Sequence, residues 1–281
     1  MNEEIPLEDM PYRELALGFH PPELDFGSLD PEQLLRSGRD WKIVAAVNML
    51  CRSGDFSKID YLVPILKRDD DSQMWDAVVK IAGFGGSWTQ VSRSTQQLVG
   101  ILDRPGVRYY IALLLGAACD TRAIDPLLDL YRTSEDSEEA RNQIMRELSV
   151  LLEPADETIF LARQDNLPYR EVVEIAKSRL ETISSTLDGY TLFEAQNLDI
   201  PRLARRLWDR LDLEQLQSER FYRGRLVFEA ATGVNCTAFY DQLGRLNRLA
   251  AMGILEEFLE SDQVNRLVPG QRYFFGHPIP N

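Results

Sequence analysis

Two stretches of the chain echo each other at an offset of 65 residues, and what they share is what two antiparallel helices need in order to stack. Ala46 to Leu50, Gly54-Asp55, Ile59-Asp60-Tyr61-Leu62 and Ile65-Leu66 are answered by Ile111 to Leu115, Cys119-Asp120, Ile124-Asp125-Pro126-Leu127 and Leu130-Tyr131. An apolar run, a break and a second apolar run at helical spacing describe a helical hairpin, and its recurrence is a repeat signature. A single hairpin of this kind cannot bury its apolar face, so the pattern predicts a stack of neighbours with an extended surface.

The residues between the echoes fit the same plan. Ile43, Val44, Val47 and Leu50 mark one helix, and Ile59, Leu62, Val63 and Leu66 mark its partner. Asp69-Asp70-Asp71-Ser72 then supplies a cap and favourable charges for a helix predicted from Gln73 to Ala82. Gly83-Phe84-Gly85-Gly86 breaks it, a further helix is expected from about Thr89 to Leu102, and Arg104-Pro105-Gly106 resets the chain. The echo follows as Tyr109 to Ala118 and Ile124 to Tyr131, with Glu135-Asp136-Ser137-Glu138-Glu139 standing where the first acidic run stood, before a helix from Ala140 to Leu152. The offset is then two hairpins of roughly 30 to 35 residues each. The Gly/Cys-Asp break, the Ile-Asp-x-Leu segment and the aliphatic residue three or four further on resemble HEAT-repeat proteins over residues 40 to 155. That resemblance implies a curved right-handed helical stack that binds other proteins and has no enzymatic activity of its own.

The flanks read differently. Residues 1–39 hold Pro6, Pro11, Pro21, Pro22 and Pro31, a density that suits an extended arm or cap packed through Leu15, Phe19 and Leu24. Residues 40–187 form the repeat region and 188–281 a separate C-terminal module. In the latter, Arg202, Arg205, Arg206 and Arg210 line one face of a helix and Leu203, Leu207 and Leu211 another. Leu226 to Thr232 reads as a short helix, Gly233-Val234-Asn235 as a turn, and Cys236 to Ala251 as a longer helix with Phe239, Leu243, Leu246 and Leu249 inward and Gly253 at its end. Ile254-Leu255 and Arg272 to Phe275 then suggest a two-stranded wing, so this part resembles a winged helix-turn-helix. The expected fold class is mainly α: a HEAT-like antiparallel helical hairpin array with a small C-terminal winged-helix-like α+β module. A DNA-reading use of that module would place Thr237, Tyr240 and Arg245 at the head of a major-groove helix, with Asp241 opposing the phosphates.

Charge bears on the partner. Acidic residues number 45 against 31 basic ones, a net charge of −14, which argues against a general nucleic-acid binder and for a basic or neutral protein partner. Residues 188–281 are closer to balance, with 13 acids and 11 bases, every base an arginine. Three widely spaced cysteines, Cys51, Cys119 and Cys236, support neither a disulfide framework nor a zinc site and fit a reducing cytoplasm. The N-terminus has no targeting pattern and the longest uncharged apolar run is far below a membrane span, so a soluble, unprocessed protein is expected.

Catalytic patterns are sparse. Gly83-x-Gly85-Gly86 lacks the third glycine and the preceding strand of a phosphate loop, and the two histidines, His20 and His277, each stand beside proline. No enzyme activity, metal or cofactor is expected. The arginine face of residues 202–210 reads as solvated or docked on acidic groups. Equivalent turns of a stack share an edge, so Asp69, Asp70 and Asp71 with Glu135, Asp136, Glu138 and Glu139 should form one acidic ridge able to attract a basic partner. The C-terminal Gln271-Arg272-Tyr273-Phe274-Phe275-Gly276-His277-Pro278, on an acidic, motif-poor helical chain, resembles immunity proteins of polymorphic toxin systems. That likeness implies a cytoplasmic inhibitor that binds and neutralises a toxin domain. The alternative is a winged-helix transcriptional regulator with a helical sensor or dimerisation domain.

Overall fold

The computed structural model describes residues 10–17, 19–20, 29–68, 71–154, 156–162, 167–211 and 218–280. It is mainly helical, with one small antiparallel sheet near the C-terminus. Two short helices, α1 (Met10–Leu17) and α2 (Pro31–Leu35), lead into α3 (Asp40–Arg52), α4 (Val63–Arg68), α5 (Ser72–Gly85), α6 (Trp88–Val99), α7 (Val107–Ala117), α8 (Ile124–Arg132) and α9 (Glu138–Leu152). Then come α10 (Ile159–Ala162), α11 (Tyr169–Ser184), α12 (Ile200–Leu211), α13 (Ser218–Thr232) and α14 (Arg248–Glu260). Strands β1 (Tyr273–Phe274) and β2 (His277–Pro278) pair with Tyr273 opposite Pro278 and Phe274 opposite His277.

Helices α3, α5, α7 and α9 pack side by side in one layer, and α4, α6, α8 and α11 cover it as a second. Ile59, Leu62, Ile124 and Leu127, the anchors shared by the two echoes, are all buried between the layers. The echo extends to hydrogen bonds. The Ser57 N–H donates to Asp55 Oδ1 at 2.9 Å, and the Arg122 N–H donates to Asp120 Oδ1 at 2.9 Å. In both hairpins this aspartate-anchored turn leads to a short 3-10 turn, Ile59–Tyr61 and Thr121–Ala123, before the second helix begins. The residue before each aspartate sits at positive φ, 89° at Gly54 and 47° at Cys119. Glycine takes that conformation without strain, whereas Cys119 is held there by its surroundings.

The middle hairpin departs from the sequence expectation at its turn. Helix α5 runs through Gly83 and Gly85 instead of stopping at Ala82, and a capping box between Ser87 and Gln90 starts α6 at once.

In the C-terminal part the expected helix from Cys236 to Ala251 is absent. Thr237–Phe239 is a single 3-10 turn, and the loop after it is folded around Asp241, whose Oδ1 accepts the N–H groups of Leu243 and Arg245, both at 2.9 Å. Gly244 adopts a φ of 72°, and Asn247 caps α14 by accepting the Ala250 N–H. Leu243 and Leu249, expected inward, are 75% and 83% exposed. Gly253 lies inside α14, and Ile254 and Leu255 are helical, so among the described residues after α14 the strand pairing is the local β1–β2 hairpin. The cause is chemical: an aspartate turn, a left-handed glycine and a capping asparagine interrupt what apolar spacing alone reads as a helix.

One continuous core joins the regions. It runs from Val44 and Ile81 through Leu115 and Leu148 to Leu203, Phe228 and Phe274.

Candidate partner-binding site

The acidic edge is built by helix starts. Asp71 caps α5, its Oδ1 accepting the Gln73 N–H at 2.9 Å, and Ser137 caps α9, with Glu138 and Glu139 in the first turn. Between them lies the first turn of α7. The Tyr110 hydroxyl donates to the Ser72 carbonyl at 3.2 Å, and its ring stands 5.1 Å from that of Trp75. Helix α7 packs between α5, which carries Asp71 and Asp76, and α9, which carries Glu139, and burial followed by the charges of these carboxylates pushes the Tyr110 phenol above its ordinary value. Asp76 was not anticipated from the sequence, although it stands one helical turn beyond the cap. Asp136 is exposed and pairs with Arg108 at 2.7 Å. Glu135, Glu138 and Glu139 are exposed and take part in no ion pair among the described residues. Asp69 and Asp70 lie outside the described residues.

The opposite ends of α5 and α9 are closed by the C-terminal part, and arginines make the closure. Arg220 Nη2 donates to Glu153 Oε2 at 2.8 Å and to Ser149 Oγ at 2.6 Å, with both charged side chains fully out of solvent. Glu153 is satisfied further by the Phe160 N–H at 2.9 Å. Arg223 reaches Glu147 at 2.7 Å. Glu147 lies so flat on α7 that a side chain at Gly116 would collide with its carboxylate, so the glycine is what admits this pair. Arg206 and Arg210 hold the buried Glu194 at 3.2 and 2.8 Å, and the residues on which it sits are tied to α9 by Glu194 N–H to Val150 O and Ala195 N–H to Leu151 O. The arginine face of α12 is thus partly docked on an acidic group, the buried Glu194. Asp199 accepts the Arg202 N–H.

Arg272 completes the seal. Its guanidinium is buried and donates to the carbonyls of Gly86 (2.8 Å), Gly83 (2.6 Å) and Phe84 (3.2 Å) at the C-terminal end of α5. The glycine-rich turn therefore presents acceptors to a cation, the reverse of a phosphate cradle. Phe274 is fully buried, with its ring 6.0 Å from that of Phe19, so the aromatic tail is core.

The candidate DNA-reading residues do not form a helix head. Thr237 lies in the 3-10 turn, Tyr240 is half-buried beside Arg225, and Arg245 is neutralised by Asp241 at 2.8 Å.

Nucleophilic chemistry finds no matching geometry among the described residues. Cys51, Cys119 and Cys236 are all buried, and burial pushes their thiols up, that of Cys119 to about 11. His20 Nε2 lies 4.0 Å from Glu229 Oε1, while burial and Arg52 lower the imidazole to about 4. His277 sits apart on exposed β2. No group of three or more potential metal ligands occurs among the described residues, and no described helix is long and apolar enough to cross a membrane. The buried carboxylates Glu147, Glu153, Glu194 and Glu229 were missed by sequence reasoning. Glu147 could have been found, because it interrupts the apolar stripe of Ile144, Leu148 and Leu151, where an acid requires a partner.

Comparison with protein-family models, curated proteins and solved structures gives no match.

Proposed function

We propose that this protein is a binding protein whose HEAT-like stack holds a basic protein partner on the acidic edge, and that it acts as a cytoplasmic immunity protein blocking a toxin domain. The observation that carries the reading is the packing of α7 between the starts of two helices that bear carboxylates, Asp71 and Asp76 at α5 and Glu139 at α9. The opposite ends of the same helices are filled by the chain's own arginines, whereas Glu135, Glu138 and Glu139 on this edge are exposed. Like charge along an edge raises the encounter rate with a cationic surface more than it raises intrinsic affinity. The test is kinetic. With a partner co-purified from the source cells, reversing Glu135, Glu138 and Glu139 to Lys should slow association at least about tenfold at low salt and flatten its salt dependence. An unchanged rate at every ionic strength overturns the acidic-edge reading. An adjacent reading frame encoding a secreted toxin would support the immunity role, and a partner with no toxic activity would remove it.

A further inference from the structure

In the outer layer, α4 packs on α6 and α11 packs on α8, but α6 and α8 scarcely touch, and a cleft of about 260 Å³ opens between them. Its floor is apolar, made by Ile111 and Leu115 of α7. One wall is the outward face of α6, where Trp88, Ser92, Thr95 and Val99 recur at spacings of four, three and four residues. This is the seam that a second helix reads when it inserts knobs into holes. Trp88 lies under the Arg122 guanidinium, 5.2 Å from its ring, but further along the seam Val99 is 50% exposed and the Thr95 hydroxyl finds no hydrogen-bond acceptor or donor among the described residues. The volume falls below the range of roughly 300 to 1,000 Å³ typical of small-molecule pockets and suits one or two aliphatic side chains.

The charge at the rim selects the occupant. Asp125 and Asp129 are exposed on α8, Asp129 pairing only with Arg132 one turn on at 3.2 Å, with both side chains largely in solvent. An apolar slot between helices with carboxylates along its rim fits a helix bearing aliphatic residues at heptad spacing flanked by lysine or arginine.

We propose that the α6–α8 cleft is a docking groove for a basic amphipathic helix, whose aliphatic side chains enter between Val99 and Pro126 while its cations meet Asp129. This deepens the acidic-edge reading and rests on it for the sign of the partner's charge.

The experiment uses two labelled synthetic helices of about 20 residues, in keeping with the length of an isolated stable helix. One carries Leu at the heptad core positions and Lys elsewhere, and the other has every Leu replaced by Gln at equal charge. Fluorescence anisotropy against the full chain at about 150 mM salt, near physiological screening, should show the leucine helix binding at least tenfold tighter. Ser92→Trp, which fills the slot, and Val99→Gln, which removes its apolar mouth, should each bring the two peptides to parity without changing the thermal midpoint. Asp129→Asn should weaken both peptides alike, as should Glu138→Lys with Glu139→Lys, leaving the leucine preference intact. Equal binding of the two peptides to the wild-type chain, or a leucine preference that persists in both Ser92→Trp and Val99→Gln, overturns the groove. A leucine preference abolished by those two variants, with peptide affinities that the Glu138→Lys, Glu139→Lys pair leaves unchanged, supports the groove while removing the edge.

Discussion

In the stack, α7 is held by Ile111, Leu114 and Leu115 against helices no more than two elements away in the chain, and the same solution recurs one echo away. In the C-terminal part the ties are arginines that reach back 67 residues to Glu153, 76 to Glu147 and 189 to Gly83. The two regions bury similar apolar faces, yet one uses local, repeated aliphatic contacts and the other uses single long-range charged contacts. The difference teaches that tolerance should differ. An aliphatic layer spreads its stabilisation over many atoms, whereas a buried ion pair concentrates it in two groups that each become costly when left alone.

The largest expected effect tests that contrast directly. Glu153→Ala leaves the Arg220 guanidinium buried without its carboxylate and should cost about 3 to 5 kcal/mol, whereas replacing Glu153 and Arg220 together by Leu and Met should recover much of the loss. Denaturant melts of the single and double variants decide it. Losses that simply add would mean the pair is not the unit of attachment.

In the stack, Leu127→Ala should cost about 2 to 5 kcal/mol, as large-to-small core changes do. A loss below about 0.5 kcal/mol, the range of surface changes, would break the claim that the echo's anchors are the layer contacts.

A smaller effect concerns the junction of arm, α3 and α13, where His20 meets Arg52, Glu229 and Phe275. Burial lowers the imidazole to about 4, so between pH 6.5 and 4 the unfolded chain takes up a proton that the folded chain refuses. The stability due to neutral His20 is present above pH 6.5 and falls as the pH drops to about 4, by at most about 3 kcal/mol. Glu229, raised by its own burial, opposes the loss by accepting a proton more readily in the folded state. His20→Gln should flatten urea midpoints measured at pH 7, 5.5 and 4, and an unchanged slope would remove His20 as the source.

The smallest effect sharpens the description of α14. A side chain built at Gly253 meets nothing within 4 Å, and its backbone is helical. Gly253→Ala should therefore raise stability by about 0.5 to 1 kcal/mol. Destabilisation would restore the sequence expectation that the helix ends there.

What the sequence made legible follows the same division. The hairpins of the stack could be read because apolar spacing, an aspartate turn and an acid-rich helix start recur, each confirming the other at the second occurrence. In the C-terminal part nothing repeats, and its decisive contacts pair residues scores of positions apart, which no local pattern encodes. The misread stretch from Cys236 to Ala251 shows the limit of periodicity. Phe239, Leu246 and Leu249 keep helical spacing, but Asp241, Gly244 and Asn247 carry the local hydrogen bonding and backbone conformation that win. The exposed carboxylates Glu135, Glu138 and Glu139 around the start of α9 were legible as composition. The arginine-sealed ends of α5 and α9 were not, although the absence of lysine from residues 188–281 was the available hint, since a planar guanidinium suits buried bidentate pairing better than an ammonium.

Arg272 sets a clock on the making of the protein. Its acceptors at the end of α5 leave the ribosome 186 residues ahead of it, which at ordinary rates of synthesis is roughly ten to forty seconds. Through that interval the stack can assemble hairpin by hairpin, but Phe84 and the carbonyls of Gly83 and Gly86 wait uncovered. Any slowing of translation between α5 and β1 lengthens the time for which a nascent chain shows that surface to chaperones and proteases.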